Sequence, residues 1–273
     1  MSAPTLPALT DALLTFEGGV ATLTLNRDDV RNELTGTALV DDMLAVVDWI
    51  KREPTVCALI LTGAGSAFSA GGNVKHMLNR EGAFGGDAYT VSQRYRLGIQ
   101  RMSLALQQVE VPFIAAVNGP AIGAGCDLAS MADIRLGSIH AKFGETFVNL
   151  GIIPGDGGAF FLQRLIGYQK AAEMTFSGRI VGAEEAKAMG LLLEVLPPEE
   201  LLPRAKAMAE SFAAKPPQAL RLAKRLMKSA QRMELPDFLD QCAMFQGMCH
   251  NTQDHLEAVA AFLEKRPAKF TGR

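Results

Sequence analysis

The sequence predicts an α/β fold, and three observations predict it. Two short, continuously apolar runs, Cys57 to Leu61 and Pro112 to Val117, have the character of inner strands covered on both faces. Each run ends in a glycine-rich turn, Thr62 to Gly72 for the first and Asn118 to Gly125 for the second. From Glu199 onward only helical periodicity remains. With 273 residues the chain can bury one sizeable core and a small appended region.

Taken in order, Ala12 to Phe16 and Val20 to Leu25 flank Gly18-Gly19, the pattern of a hairpin. Thr22 and Thr24 alternate with Ala21, Leu23 and Leu25, so one face is buried. Thr35 to Lys51 carries Leu39, Met43, Val46, Val47 and Ile50 at helical spacing. After the first inner strand and its turn, Val74 to Leu78 reads as a short helix. Arg80 to Asp87, with three glycines, reads as a mobile loop. Tyr89 to Val109 reads as one long helix leading to the second inner strand, and an amphipathic run begins near Cys126. Ala159 to Ile166 and Ala171 to Phe176 follow as short helices, with Leu191 to Leu196 as a last strand. The tail predicts helices over 201–214, 218–231, 236–248 and 252–265. The α/β core is therefore expected over 1–197 and a helical region over 198–273.

Composition excludes several classes. A hydrophobic fraction of 48% with 21% charge is that of a globular protein, and a net charge of -2 argues against nucleic acid as a partner. No apolar run approaches the roughly 20 residues of a membrane span. The opening MSAPTLPALTDALL lacks the basic and apolar segments of a signal peptide, so the expected location is the cytoplasm. Cys57, Cys126, Cys242 and Cys249 form no CxxC pair, and the four histidines show no metal-ligand spacing. Gly63-Ala64-Gly65 has Phe68 where a dinucleotide fingerprint needs its third glycine, and there is no GxxxxGK[ST] motif.

The two glycine-rich turns suit another task. Each can offer one backbone N–H to a single oxygen, which a thioester carbonyl needs if it is to become an enolate. The segments AFSAGGNVKHM, IAAVNGPAIGAGCDLASMADIRL, AKFGETFVNLGIIPGDGG and AAFLEKRPAKF resemble the enoyl-CoA hydratase/isomerase (crotonase) superfamily, from Asn26-Arg27 through Phe270. The resemblance implies a spiral of ββα units, a C-terminal helical trimerisation region, and a homotrimer or hexamer. It also implies an acyl-CoA thioester as substrate, with no cofactor beyond the CoA that the substrate carries. It puts the oxyanion-hole N–H groups on Gly72 and Ala124. It also puts CoA contacts on Ala67, Phe68, Ala70 and Gly71, with Phe262 and Lys265 packing on CoA and Arg27 approaching its phosphates. Phe262 reads equally as core, and Arg27 and Lys265 equally as solvated charges.

The departures decide the chemistry. Hydratases of the family use two glutamates, and here the first position is Asp127 and the second Phe147. Phe147 cannot transfer a proton, so two-glutamate hydration is impaired. Three carboxyls are candidates for the proton-transfer role: Asp127 first, then Asp156 and Glu145. Asp127 and Asp156 read alternatively as capping or turn carboxylates, and Glu145 is expected to point away from the site. Cys126 reads as packed core. The expected function is enoyl-CoA hydratase/isomerase chemistry through a thioester enolate. The alternatives are a β-diketone C–C hydrolase of the same fold and a non-catalytic acyl-CoA-binding member.

Overall fold

The computed structural model describes residues 4–273, so the first three residues of the N-terminal stretch lie outside the described residues. The hairpin forms as expected, with β1 (Ala12–Glu17) antiparallel to β2 (Val20–Leu25). The helix α1 (Leu39–Arg52) starts at the first residue of its apolar spacing and not at Thr35. It leads to β3 (Ala58–Gly63), which pairs parallel with β2. After α2 (Val74–Asn79) the single long helix expected over 89–109 is two. Gly98, with φ -110° and ψ -112°, separates α3 (Ala88–Leu97) from α4 (Ile99–Gln107).

β4 (Phe113–Val117) lies beside β3, and β5 (Pro120–Ile122) begins a second sheet. Then come α5 (Ala124–Ser130), β6 (Ile134–Ser138), β7 (Lys142–Gly144), α6 (Gly158–Ile166) and α7 (Tyr168–Ser177). β8 (Ile180–Gly182), α8 (Ala183–Met189) and β9 (Glu194–Leu196) complete the sheets. The main sheet runs β1-β2-β3-β4-β6-β9, parallel beyond the hairpin, and β5-β7-β8 forms a second, three-stranded sheet.

Side-chain alternation divides the core between the two faces of the main sheet. Leu59, Leu61, Phe113, Ala115 and Val117 join the larger cluster with α1, α5 and Phe143 of the second sheet. Ala58, Ile60, Ile114 and Ala116 face the other way, onto Leu201, Ala205, Met208 and Ala209 of α9 (Pro198–Ala213). α9 follows the expected boundary at 197, yet it is the cover of the sheet's second face. The tail continues as α10 (Pro217–Ser229), α11 (Leu235–His250) and α12 (Gln253–Glu264). On α12, Leu256, Val259, Phe262 and Leu263 are all exposed apolar side chains. No helix of the described residues is long and apolar enough to cross a membrane.

Candidate active site

The two glycine-rich turns converge because each is stitched to the same pieces of chain. The loop after β3 is anchored by Phe68, which is fully buried. It then forms isolated parallel bridges, Ser69 to Ala121 and Glu33 to Gly71. The first bridge ties it to β5, three residues before Ala124. Gly71 has φ +79°, and a Cβ there would stand 3.0 Å from the nitrogen of Ala124. The adjacent Gly72 is held from the other side, where Asn73 N–H donates to Thr35 Oγ1 at 2.8 Å. Ala124 is the first residue of α5, so its N–H has no partner within the helix. Among the described residues no hydrogen bond is donated by the N–H of Gly72 or Ala124 to a group outside its own helix or strand.

Both residues line one cavity of about 230 Å³. Its walls are mainly apolar, from Leu34, Val40, Met77, Phe84, Leu97, Ile99, Phe147 and Ile152, with Tyr95 and Asp156 among the polar groups. Arg94 also reaches it, after donating from Nη1 to the carbonyls of Gly82 and Gly85. Asp41 and Arg101 stand at the exposed rim, paired at 3.2 Å. An apolar basin of about 830 Å³ adjoins this cavity and shares Met77, Phe84, Tyr95 and Ile152 with it.

Of the three candidate carboxyls, Asp156 lines the cavity and Asp127 and Glu145 do not. All three are buried. Asp127 projects from α5 to the start of α6, where Gly158 N–H donates to its Oδ2 at 3.0 Å. It therefore caps α6, not the helix that carries it. Glu145 directly follows β7 and is fully buried, with hydrogen-bonding reach to Asp127 and to the Cys126 thiol. It faces away from the cavity, as expected, whereas Phe147 two residues on lies on the cavity side. Asp156 precedes α6 but makes no side-chain cap, and its backbone is fixed by Ser103 Oγ, which donates to its carbonyl. Gln100 holds the preceding carbonyl, donating to Gly155 O at 2.7 Å.

Burial is the main force on these acids. It raises the Asp156 and Glu145 carboxyls above the ordinary range and raises Asp127 well above it. For Asp127 the negative charges of Asp156 and Glu145 add to that shift. Burial also raises the Cys126 thiol well above its usual value, as suits a packed core residue and not a nucleophile. The Tyr95 phenol is raised by burial and by Asp156 nearby.

The other sequence candidates sit as follows. Arg27 forms ion pairs with Asp11 at 3.2 Å and Asp29 at 2.8 Å. Ala67 and Phe68 are buried. The N–H groups of Phe68 and Ala70 already donate to Pro120 O and Arg31 O. Phe262 is 82% exposed and Lys265 is the exposed left-handed end of α12, so neither approaches the cavity within this chain. The sequence points to the loop at 80–87 and the helix from Tyr89 as pocket walls, and Phe84, Arg94, Tyr95 and Leu97 do line the cavity. It does not single out these residues individually, or Met77 of α2. Helical spacing alone gives no sign that a wall residue faces a site.

The family model described as Enoyl-CoA hydratase/isomerase matches residues 15–273. The chain is 36% identical over 261 residues to the short-chain-enoyl-CoA hydratase of Clostridium acetobutylicum, covering 94% of this chain and 96% of that protein. It is 36% identical to the crotonyl-CoA hydratase of Syntrophomonas wolfei, over 97% of this chain and all of that one. The crystal structure of an enoyl-CoA hydratase from Bacillus anthracis superposes with a TM-score of 0.89 at 33% identity, covering 97% of this chain and 100% of that chain. The full-length match to the family model, the relatives and the shared fold show that the chain belongs to the enoyl-CoA hydratase/isomerase (crotonase) family.

Proposed function

We propose that this acyl-CoA-processing enzyme moves a double bond in an enoyl-CoA, with Asp156 as the group that carries the proton. The thioester oxygen sits between the N–H groups of Gly72 and Ala124. The Asp156 carboxylate takes a proton from the α-carbon of a 3-enoyl thioester. The C–H electron pair becomes the enolate double bond, and the charge rests on the oxygen between the two donors. Asp156 then returns the proton to the γ-carbon, leaving a 2-enoyl thioester. One carboxyl suffices for this cycle because base and acid act in sequence.

The observation that carries this reading is the shared lining of one apolar cavity by Gly72, Ala124 and Asp156, with Phe147 in the place of a second acid. An apolar wall also keeps water from the enolate. Hydration is the second reading, and the names of the relatives from Clostridium acetobutylicum and Syntrophomonas wolfei favour it. It requires water to be activated by Asp156 alone.

The CoA portion needs no further cofactor. We place its nucleotide end along the Ala67 to Gly71 loop and near Arg27, with Phe262 and Lys265 supplied by a neighbouring copy. The exposed apolar side chains of α12 support self-association, since a second copy would cover them, and we take the assembly to be a homotrimer or hexamer and its location to be the cytoplasm. NMR of the protein with a 3-enoyl-CoA and with crotonyl-CoA in D2O tests the reaction class. The proposal expects migration with deuterium entry and no water addition. A hydroxyacyl product accumulating from crotonyl-CoA would favour hydration instead.

A further inference from the structure

Behind Asp156 stands a group of acids that the proton cycle leaves unused. Asp127 Oδ1, both carboxyl oxygens of Glu145 and Asp156 Oδ2 are buried and find no ordinary donor among the described residues. Asp127 is central, within hydrogen-bonding reach of both Glu145 and Asp156. Its Oδ2 is taken by Gly158 N–H at 3.0 Å, and α6 presses so closely that a Cβ on Gly158 would lie 1.9 Å from Oδ1. Ionised carboxylates only accept, so three packed together cannot satisfy one another. A shared proton turns one of them into a donor and removes most of the repulsion. No group of three or more His, Cys, Asp or Glu among the described residues is arranged to hold a metal ion, so a proton is the remaining counter-charge within the cluster.

We infer that Asp127 is a protonated carboxyl that donates its O–H to Asp156, a positioning residue that keeps the cavity-facing acid ionisable. This rests on the reading of Asp156 as the proton-transfer group. The position of Asp127 between two acids makes it the one that keeps the proton. Either neighbour can release its own while Asp127 donates to the resulting anion. That hydrogen bond favours the ionised form of Asp156, which burial otherwise opposes. The titratable groups around Asp156 are Asp127 from α5, Glu145 just after β7 and Tyr95 from α3, and the charged Asp41, Arg94 and Arg101 line the same cavity. Among the described residues none of the three carboxyls forms a salt bridge: of the cations that share the cavity with Asp156, Arg101 pairs with Asp41 and Arg94 donates to the carbonyls of Gly82 and Gly85.

The test compares Asp127→Ala with Asp127→Asn in the full chain. Asparagine keeps an acceptor for Gly158 and supplies an N–H to Asp156, whereas alanine supplies neither. The rate of double-bond migration is followed against pH, together with the infrared band of protonated carboxyls at neutral pH. Asp127→Ala should move the acidic limb of the profile upward by about one pH unit or more. Asp127→Asn should restore the wild-type limb, and its spectrum should lack one protonated-carboxyl band. An Asp127→Ala profile that overlays the wild type overturns the inference. So does an Asp127→Asn enzyme as impaired as Asp156→Asn, or an Asp127→Asn spectrum that keeps the full set of wild-type protonated-carboxyl bands. Activity retained by Asp156→Asn would overturn the role of Asp156 instead. The infrared comparison would still report whether Asp127 holds the proton.

Discussion

Gly71→Ala is a small change that tests how the two turns meet. The added methyl would stand 2.5 Å from the carbonyl oxygen of Ile122 and 3.0 Å from the nitrogen of Ala124. Both contacts are backbone, so no flexible side chain can swing aside. The position also has φ +79°, which costs a non-glycine residue about 1–2 kcal/mol. Relief requires the two turns to separate by roughly 0.5–1 Å, and a misplacement of that size costs about 10²-fold. If the separation removes one of the two donors outright, the loss approaches about 10³-fold.

Gly190→Ala is the control. Gly190 has φ +88° but nothing within 4 Å of its Cβ position, so it carries the conformational cost without the clash. The assay is the migration rate of a 3-enoyl-CoA beside a chemical denaturation curve for each variant. Gly190→Ala should lose stability by about 1–2 kcal/mol and keep its activity. Gly71→Ala should lose activity by about 10²-fold or more while still folded. A folded Gly71→Ala enzyme within about threefold of wild type would refute the convergence of the two N–H groups on one oxygen.

Other expectations follow from the same geometry. Phe147→Glu places a second acid on the cavity wall, and NMR should then detect water addition to crotonyl-CoA above the wild-type level. Unchanged products in a folded variant would count against Phe147 as the block. The buried acids set a pH trend in stability. Their folded values are raised above the ordinary 3.8 of aspartate and 4.5 of glutamate. The folded chain thus holds more protons than the unfolded chain above those values, and this contribution is lost as pH rises through the folded values. Denaturation free energies should fall as pH rises above about 4, by at most about 1.4 kcal/mol per pH unit for each proton retained. The fall should be shallower in Asp127→Asn, and identical slopes would contradict the burial of a shared proton. Phe262→Ala should raise KM for CoA esters without lowering the melting temperature of the isolated chain, because the ring has no cover within it. An unchanged KM would remove Phe262 from the CoA contacts.

Much of the fold was legible because burial on both faces leaves a plain trace. β4 is an uninterrupted apolar run, β3 is one as far as Leu61, and the first hairpin carries its turn at Gly18-Gly19. β6 left no such trace, since its second residue is Arg135. That guanidinium is buried and satisfied by donating from Nε to Leu191 O at 2.8 Å and from Nη1 to Ala132 O. The strands β5, β7 and β8 are three residues each, too short for any periodicity to register. Gly98 sits inside an otherwise helical pattern, and spacing alone cannot say that it breaks the helix.

The site was legible in part. Gly72 and Ala124 came from the family resemblance, and both line the one cavity. The ranking of the acids was not legible, because it depends on how α5 meets α6. Asp127 ranks first by sequence, yet the packing of Gly158 against it turns it behind the cavity. Asp156 ranks second, and it is the acid that lines the cavity with Gly72 and Ala124. Glu145 is expected to point away from the cavity and does, but its partnership with Asp127 needs three-dimensional contact to be seen.

Deuterium entry at the acyl carbons of a 3-enoyl-CoA, compared between wild type and Asp156→Asn, bears most directly on the central claim. Asparagine keeps the volume and polarity of the side chain but cannot take a proton at neutral pH. The account predicts exchange and migration in the wild type and a loss of both by about 10²–10⁴-fold in Asp156→Asn. Exchange at the wild-type rate in a folded Asp156→Asn enzyme would contradict it.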